Sequence, residues 1–316
     1  MWRYILKRLL WIVIILICVA VLIFSIMYFV PGDPAELILG TTATEAELEA
    51  CREELGLNEP YLVQLRSFLS SAFLHFDLGK SYIYRVPIAD ELARRIPKSL
   101  TLGWTCILLS SIIGIPLGIS CALHQNGVLD HVLRVIMMVG ISIPSFWLAL
   151  LLVILFSVNL GWLPPYGVGG VEHWIMPVIA GSLGSIAMNA RQTRSAVLET
   201  VRSDFVVTAR AKGQREDKVI YKHMLPNALL PVVGSLGAAF ASSIGGTVVI
   251  ETIFSFPGVG TYLTNAITAR DYPIVRGCVL VLAIFSATAM LLVDLVYAYM
   301  DPRIKAQYVS LGRGKK

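Results

Sequence analysis

Thr208-Ala-Arg-Ala-Lys-Gly213, followed at a distance by Leu225-Pro226, is a polar stretch set between two apolar segments long enough to cross a bilayer. Around it stand Arg191, Arg194, Arg202, Arg210, Lys212, Arg215, Lys218 and Lys222, a basic density that holds a loop on the cytoplasmic side of a membrane. Asp204 is a candidate helix start. Phe205, Val206 and Ala209 then make an apolar stripe, and Arg210, Lys212 and Arg215 a polar face. Gly213 permits a sharp turn, and Pro226 fixes the re-entry into the next apolar segment. A short amphipathic helix displayed there suits docking to a soluble partner. On charge alone, a solvated basic loop is the alternative.

Composition agrees with a membrane setting. The chain has 316 residues, 56% hydrophobic and 15% charged, with a mean hydropathy of +0.72. Soluble domains carry charge at about a quarter of their positions. The net charge of +5 invites a nucleic-acid reading, but its distribution excludes a basic groove. Seventeen of the 26 Lys and Arg fall in segments assigned to the cytoplasm, whereas 11 of the 21 acids lie between Asp33 and Glu91.

Six apolar windows predict six spans: Leu9–Val30, Leu100–Leu123, Val135–Val158, Trp174–Ala190, Leu229–Ile253 and Gly277–Met300. The first follows Arg3, Lys7 and Arg8. It reads as a retained anchor rather than a cleaved signal, because its apolar run is long and no Ala-x-Ala site follows. Even parity returns the C-terminus to the cytoplasm, where Arg303, Lys305, Arg313, Lys315 and Lys316 agree with it. Residues 31–98 form a helical extracytoplasmic excursion. Helices are expected after a Thr44/Glu47 capping box, ending at Gly56, and over Tyr61–Leu74 and Ile88–Ile96. The expected organisation is 1–30, an N-terminal span; 31–98, the excursion; 99–301, the membrane core with its cytoplasmic loop 191–228; and 302–316, a cytoplasmic tail. The spans carry breakers: Gly114, Pro116, Gly118, Pro144, Gly181, Gly184, Gly245 and Gly246. These read first as sites of close helix packing and second as places where helices bend. No strong internal repeat is visible.

Catalytic signatures are missing. Gly79-Lys80-Ser81 resembles the end of a phosphate loop, but position 74 is Leu where that loop needs Gly, and the segment lies outside, so this chain itself binds no nucleotide. No HExxH, GxSxG or paired intramembrane Asp motif occurs. His75, His124, His131, His173 and His223 are scattered, and Cys18, Cys51, Cys106, Cys121 and Cys278 give no CxxC or zinc spacing. No metal site is expected. Two acids stand inside or at the ends of spans: Glu251 at the outer end of the fifth, and Asp294 well inside the sixth. Either role, contact with a permeating solute or support of the helix bundle, fits such groups. For Asp294 structural hydrogen bonding is the favoured one.

Residues 207–226 resemble the "EAA" loop of ABC importer permeases, with Ala209, Gly213, Leu225 and Pro226 matching its pattern. Val207, Thr208 and His223 depart from the general form, but Thr-Ala-Arg-Ala-Lys-Gly is usual in the dipeptide/oligopeptide/nickel branch. The resemblance extends through Pro31-Gly-Asp-Pro34, Leu55-Gly-Leu-Asn58, Asp77-Leu-Gly79, Ile143-Pro-Ser-Phe-Trp147, Glu251-Thr-Ile-Phe-Ser-Phe-Pro-Gly-Val-Gly260, Arg270-Asp-Tyr-Pro273 and Asp301-Pro-Arg-Ile304. It is similar to the first, B-type permease of the pair in that branch. The resemblance implies an all-α polytopic membrane protein with the six-helix type I ABC importer permease fold, in the cell inner membrane. It implies a heterodimer with a second homologous permease, two cytoplasmic ATP-binding subunits that carry ATP and Mg, and an extracytoplasmic substrate-binding protein. Phe205, Thr208, Ala209, Arg210, Ala211, Lys212, Gly213, Leu225 and Pro226 then form the ATPase-coupling segment. Pro257, Gly258, Gly260, Arg270 and Asp271, with Glu251 and Asp294, become candidates for the outer gate and pathway. The implied cargo is a di- or oligopeptide, with nickel or a nickel chelate as the alternative, moved by alternating access.

Overall fold

Helix signals placed in the sequence mostly reappear, with two changes, each at a proline. The computed structural model describes residues 2–40 and 42–300. The expected tail 302–316, its basic residues and the Asp301-Pro-Arg-Ile304 motif lie outside the described residues. The first span is α1 (Trp2–Phe29). In α2 (Pro34–Leu39) the Asp33 carboxylate accepts the Ala35 N–H at 2.9 Å, with proline at the first helical position where no N–H is needed. The predicted capping box opens α3 (Glu45–Glu54): Thr44 N–H donates to the Glu47 carboxylate at 2.8 Å, and the Thr44 hydroxyl accepts from Glu47 N–H. Those bonds from the Thr44 backbone and hydroxyl hold the Glu47 carboxyl below the usual range. Gly56, at φ +67°, ends that turn, and α4 covers Tyr61–Leu74 as expected.

α5 (Ile88–Leu123) joins the predicted helix 88–96 and the second span into one helix of 36 residues. Pro97 stands between the two expected segments. A proline removes one ladder bond, and the apolar run beyond it carries the helix through. The third span, expected over 135–158 with Pro144 as a breaker in it, divides into α6 (Val128–Ser142) and α7 (Ser145–Leu152) with a π-helical turn over Val153–Asn159, the two halves bent by 95°. Ile143, preceding Pro144, is held extended (φ −77°, ψ 118°), as a residue before proline must be. There follow α8 (Glu172–Thr200), α9 (Asp204–Ala211), α10 (Glu216–Lys218), a π-turn over Val219–Met224, α11 (Leu225–Ala228), α12 (Leu230–Gly246), α13 (Val248–Ile253), α14 (Val259–Thr268) and α15 (Tyr272–Met300). No β-strand occurs among the described residues, only an isolated bridge between Lys80 and Pro87.

Three helical stretches are long and apolar enough to cross a membrane: Ile5–Phe29, Ile88–Leu123 and Tyr272–Leu295. Two bent pairs, Val128–Ser142 with Ser145–Asn159 and Glu216–Ala228 with Leu230–Ser243, raise the number to five. α8, where the fourth span was expected, is long enough at 29 residues, but Gly181, Ser182, Gly184, Ser185 and Asn189 dilute its apolarity.

The chain divides into two compact units, the described parts of Met1–Ser99 with Pro257–Lys316, and Leu100–Phe256. In the first, α15 packs along α1, and Ile23, Ile88, Leu92, Val259, Tyr262 and Ile274 form a buried core. α4 lies against α1 through Phe24 and Phe68, whose rings stack at 5.6 Å, and through a 2.7 Å bond between Ser25 and Tyr61. Arg52 ties the excursion together by reaching Asp33, Glu45 and Glu49 at 2.7–3.0 Å, bonds that hold its guanidinium above its ordinary pKa.

In the second unit, α8 is met by glycines at backbone distance. A Cβ on Gly118 would lie 2.4 Å from the Ala190 carbonyl oxygen, and one on Gly114 would lie 2.7 Å from that of Ile186. Close packing therefore explains these two glycines. Gly245 and Gly246 have open space around them and no such duty. The core here includes Leu102, Met176, Ile250, Phe254 and Phe256.

Candidate functional site

The segment singled out in the sequence folds as a short helix fixed on its inner side and bare on its outer side. Ser203, in extended conformation, precedes α9, and its hydroxyl donates to the Thr200 carbonyl at 2.6 Å. Val206 and Ala209 are buried against Ala122, Val197, Val219, Met224, Leu225 and Ala228. The expected apolar stripe is thus split. Val206 and Ala209 anchor the helix to its own chain, while Phe205 remains 45% exposed, beside exposed Thr208 and Lys212. Residues 205, 208 and 212 recur at helical spacing, so they share a face.

Gly213 takes φ +71° and its N–H donates to the Arg210 carbonyl at 2.9 Å, closing the helix in a left-handed turn with nothing near the position a Cβ would occupy. Beyond the turn the chain folds back, and Glu216 pairs with Arg210 at 2.6 Å. Gln214 and His223 meet at 2.8 Å. Sequence reasoning missed both pairs, since separations of six and nine match no contact spacing within one helix. Leu225 is buried, while Pro226 is exposed and occupies the first turn of α11, where its missing N–H costs nothing.

An ion pair with a buried acid ties α6 to α8, the helix that leads into this segment. Asp130, fully buried near the start of α6, accepts from Arg194 Nε and Nη2 on α8, each at 2.8 Å. The Cys121 thiol at 2.8 Å and the Asn126 N–H at 3.0 Å complete its shell. Every acceptor site on that carboxylate has a donor, which is what makes a buried charge tenable.

The other sequence candidates are divided between the two units. Glu251, in the second, is fully buried and accepts from the Thr247 hydroxyl at 2.9 Å. In the first, Asp271 is buried and accepts the Ser81 hydroxyl at 2.5 Å and the N–H groups of Tyr82 and Ile83 at 3.3 Å. Arg270 beside it is exposed, with φ +56°. Pro257 and Gly258 lead into α14, and Gly260 is buried in its first turn. The N–H of Val259 between these glycines donates to the buried Ser99 hydroxyl at 2.8 Å. Farther along α14, Arg95 lies 4.4 Å over the Tyr262 ring, and burial pushes that phenol up to about 12. Asp294 forms an ion pair with Arg8, α15 to α1. Among the described residues no group of three or more His, Cys, Asp and Glu is placed to hold a metal, and the five cysteines are free thiols.

Comparison with known proteins gives two family matches that together span most of the chain. Residues 114–306 match the binding-protein-dependent transport system inner membrane component, and residues 1–103 match the N-terminal part of such membrane components. The chain is 40% identical to a putative peptide transport system permease protein of Brucella abortus, over 95% of this chain and 98% of that one. It is 38% identical to the dipeptide transport system permease protein DppB of Alkalihalophilus pseudofirmus (96% and 100% covered) and to the glutathione transport system permease protein GsiC of Escherichia coli K12 (96% and 99%). Among solved structures, an amino acid ABC transporter crystallised with histidines resembles it in fold, with a TM-score of 0.54 at 16% identity, over 67% of this chain and 94% of that one.

Proposed function

We propose that this chain, which belongs to the family of binding-protein-dependent transport system inner membrane components, is one half of the pathway of an ATP-driven importer of short peptides. Counting α8 with the five stretches named above makes six spans, and six return the chain to the side on which it began. The basic residues around α9 then face the cytoplasm. The second permease, two ATP-binding subunits and a binding protein complete the machine, and ATP and Mg sit on those subunits.

α9 carries this reading. It is bolted to the membrane unit by Val206 and Ala209 and shows Phe205, Thr208 and Lys212 to solvent. A helix held this way moves as a rigid piece with the helices behind it. A soluble ATPase that grips its outer face can therefore change the arrangement of the spans, and alternating access needs such differential contacts in two global states. The excursion 31–98, stapled by Arg52, and the loops holding Arg270 and Asp271 supply the surface for the binding protein. Pro257, Gly258 and Gly260, at the start of α14, are assigned to the outer gate, and Glu251, on α13, stays a separate pathway candidate.

The test is a cysteine at Thr208 in the assembled transporter, cross-linked across α9, combined with uptake of labelled di- to pentapeptides into vesicles with and without ATP. Cross-links to an ATP-binding subunit and ATP-dependent peptide uptake are the expected results. Uptake that persists without ATP would refute the mechanism. Titration of the cognate binding protein with peptides, glutathione and nickel–histidine sets the cargo, and binding of the nickel complex alone would replace peptide with metal chelate.

A further inference from the structure

The first unit contains a cavity of about 770 Å³. α1 ends and α15 begins in its wall, so it sits where two apolar spans stop, at the depth of lipid headgroups. Arg276, one turn into α15, lines it, with its guanidinium 5.4 Å from the Phe24 ring and 5.2 Å from that of Phe68. Its Nε is sealed from solvent and has no acceptor; the guanidinium meets the Tyr82 hydroxyl and lies within the field of Asp271, but it forms no ion pair with any described carboxylate. The Tyr272 hydroxyl, in the same wall, is likewise buried without a partner. Lys80 adds a third cation-bearing or donor side chain that pairs with no described acid.

The acids lining the cavity pair with none of these donors, and Asp271, outside the wall, is already bonded to Ser81, Tyr82 and Ile83. Asp33 is closed on Arg52 at 2.7 Å, Asp77 accepts the Gly79 N–H at 2.8 Å, and Glu59 is exposed. A stranded donor on a buried guanidinium and a stranded phenol each carry a desolvation cost that an anion would relieve. Tyr28 and Val63 in the wall are 42% and 49% exposed, and their neighbours Phe29 and Leu62 are 75% and 72% exposed. A soluble anion leaves that apolar rim wet; an acyl chain covers it. We propose that the cavity binds the phosphate of a membrane phospholipid, with Arg276 and Tyr272 donating to its oxygens and the acyl chains lying along the exposed rim.

The test is native mass spectrometry of the whole transporter in detergent, titrated with dioctanoyl phosphatidylethanolamine, dioctanoyl phosphatidylglycerol, dioctanoylglycerol and inorganic phosphate. The expected result is one saturable phospholipid adduct that diacylglycerol and free phosphate do not reproduce. Tyr272→Phe keeps the shape of the wall, and should weaken the adduct about tenfold or more, the effect of one hydrogen bond to a charged group. Arg276→Gln should weaken it further. Should Arg276→Gln fail to assemble, Tyr272→Phe decides alone. Its melting temperature in lipid-free detergent should equal or exceed that of the wild type, with a smaller gain on adding phospholipid. Equal binding of diacylglycerol, wild-type affinity in Tyr272→Phe, or tight saturable binding of inorganic phosphate that displaces the lipid would each overturn the assignment.

Discussion

Asp130 is a fully buried acid of the second unit, and nothing local in the sequence announces it. Its partner Arg194 lies 64 residues away and reads, in sequence, as one more cytoplasmic cation. The third span begins in sequence only at residue 135, which left Asp130 in a loop. Replacing Asp130 by Asn leaves the half-buried Arg194 guanidinium without its counter-charge. The expected loss is on the order of 3 kcal/mol, to be read as a lowered unfolding temperature of the complex, with Arg194→Gln causing a similar loss and the double change less than the sum of the two. Gly213, by contrast, was legible, because a glycine closing a helix before a reversal has a known backbone reason. Gly213→Ala meets no neighbour and costs about 1 kcal/mol of left-handed strain, so uptake should persist. Gly213→Asp meets equally open space but sets a negative charge at the end of the exposed α9. Its level in the membrane should match wild type while uptake and ATPase coupling are lost. Normal uptake by a well-expressed Gly213→Asp protein would remove this turn from the coupling surface.

Among the elements, what the sequence shows well is local: the capping box of α3, the bounds of α4, the start of α9 at Asp204. What it hides depends on packing. Pro97 and Pro144 carry the same local signal, yet one is absorbed inside α5 and the other breaks its span by 95°. The continuity of an apolar run across a proline is decided by what lies on either side, not by the proline. The same limit applies to the faces of α9. Phe205, Val206 and Ala209 form one stripe in sequence, but only the last two find partners in the chain. Two substitutions separate the faces. Val206→Asp puts a carboxylate into a fully buried apolar site and should prevent stable assembly, seen as loss of the protein from the membrane fraction. Phe205→Ala removes an exposed ring and should leave the protein level unchanged. ATP-dependent uptake should then fall about tenfold, as truncating an aromatic interface anchor commonly does. Unchanged uptake in Phe205→Ala would mean that the partner does not read this face.

On the scale of the whole molecule, charge sidedness and apolar length were enough to establish a membrane protein of many spans, because both properties add along the chain and need no knowledge of contacts. The role of an acid inside a span does need such knowledge, and Asp294 is the instructive case. In sequence it stands as either a pathway group or a structural one. The structure pairs it with Arg8, and the two side chains are 19% and 37% exposed. Arg8 lies near the end of α1, where its long side chain can reach water if unpaired, whereas Asp294 is short and set inside an apolar helix. The two partners should therefore respond unequally. Arg8→Ala strands the carboxylate and should lower the unfolding temperature and the yield; Asp294→Asn strands only a cation with an escape route and should be milder. If the pair is structural, neither change alters the KM for peptide uptake by the protein that remains, and exchanging the two charges recovers part of the yield. A pathway role predicts the opposite pattern: Asp294→Asn changes the KM or the peptide preference at normal yield, while Arg8→Ala leaves both untouched. Uptake kinetics of the two single variants, normalised to protein in the membrane, decide between them.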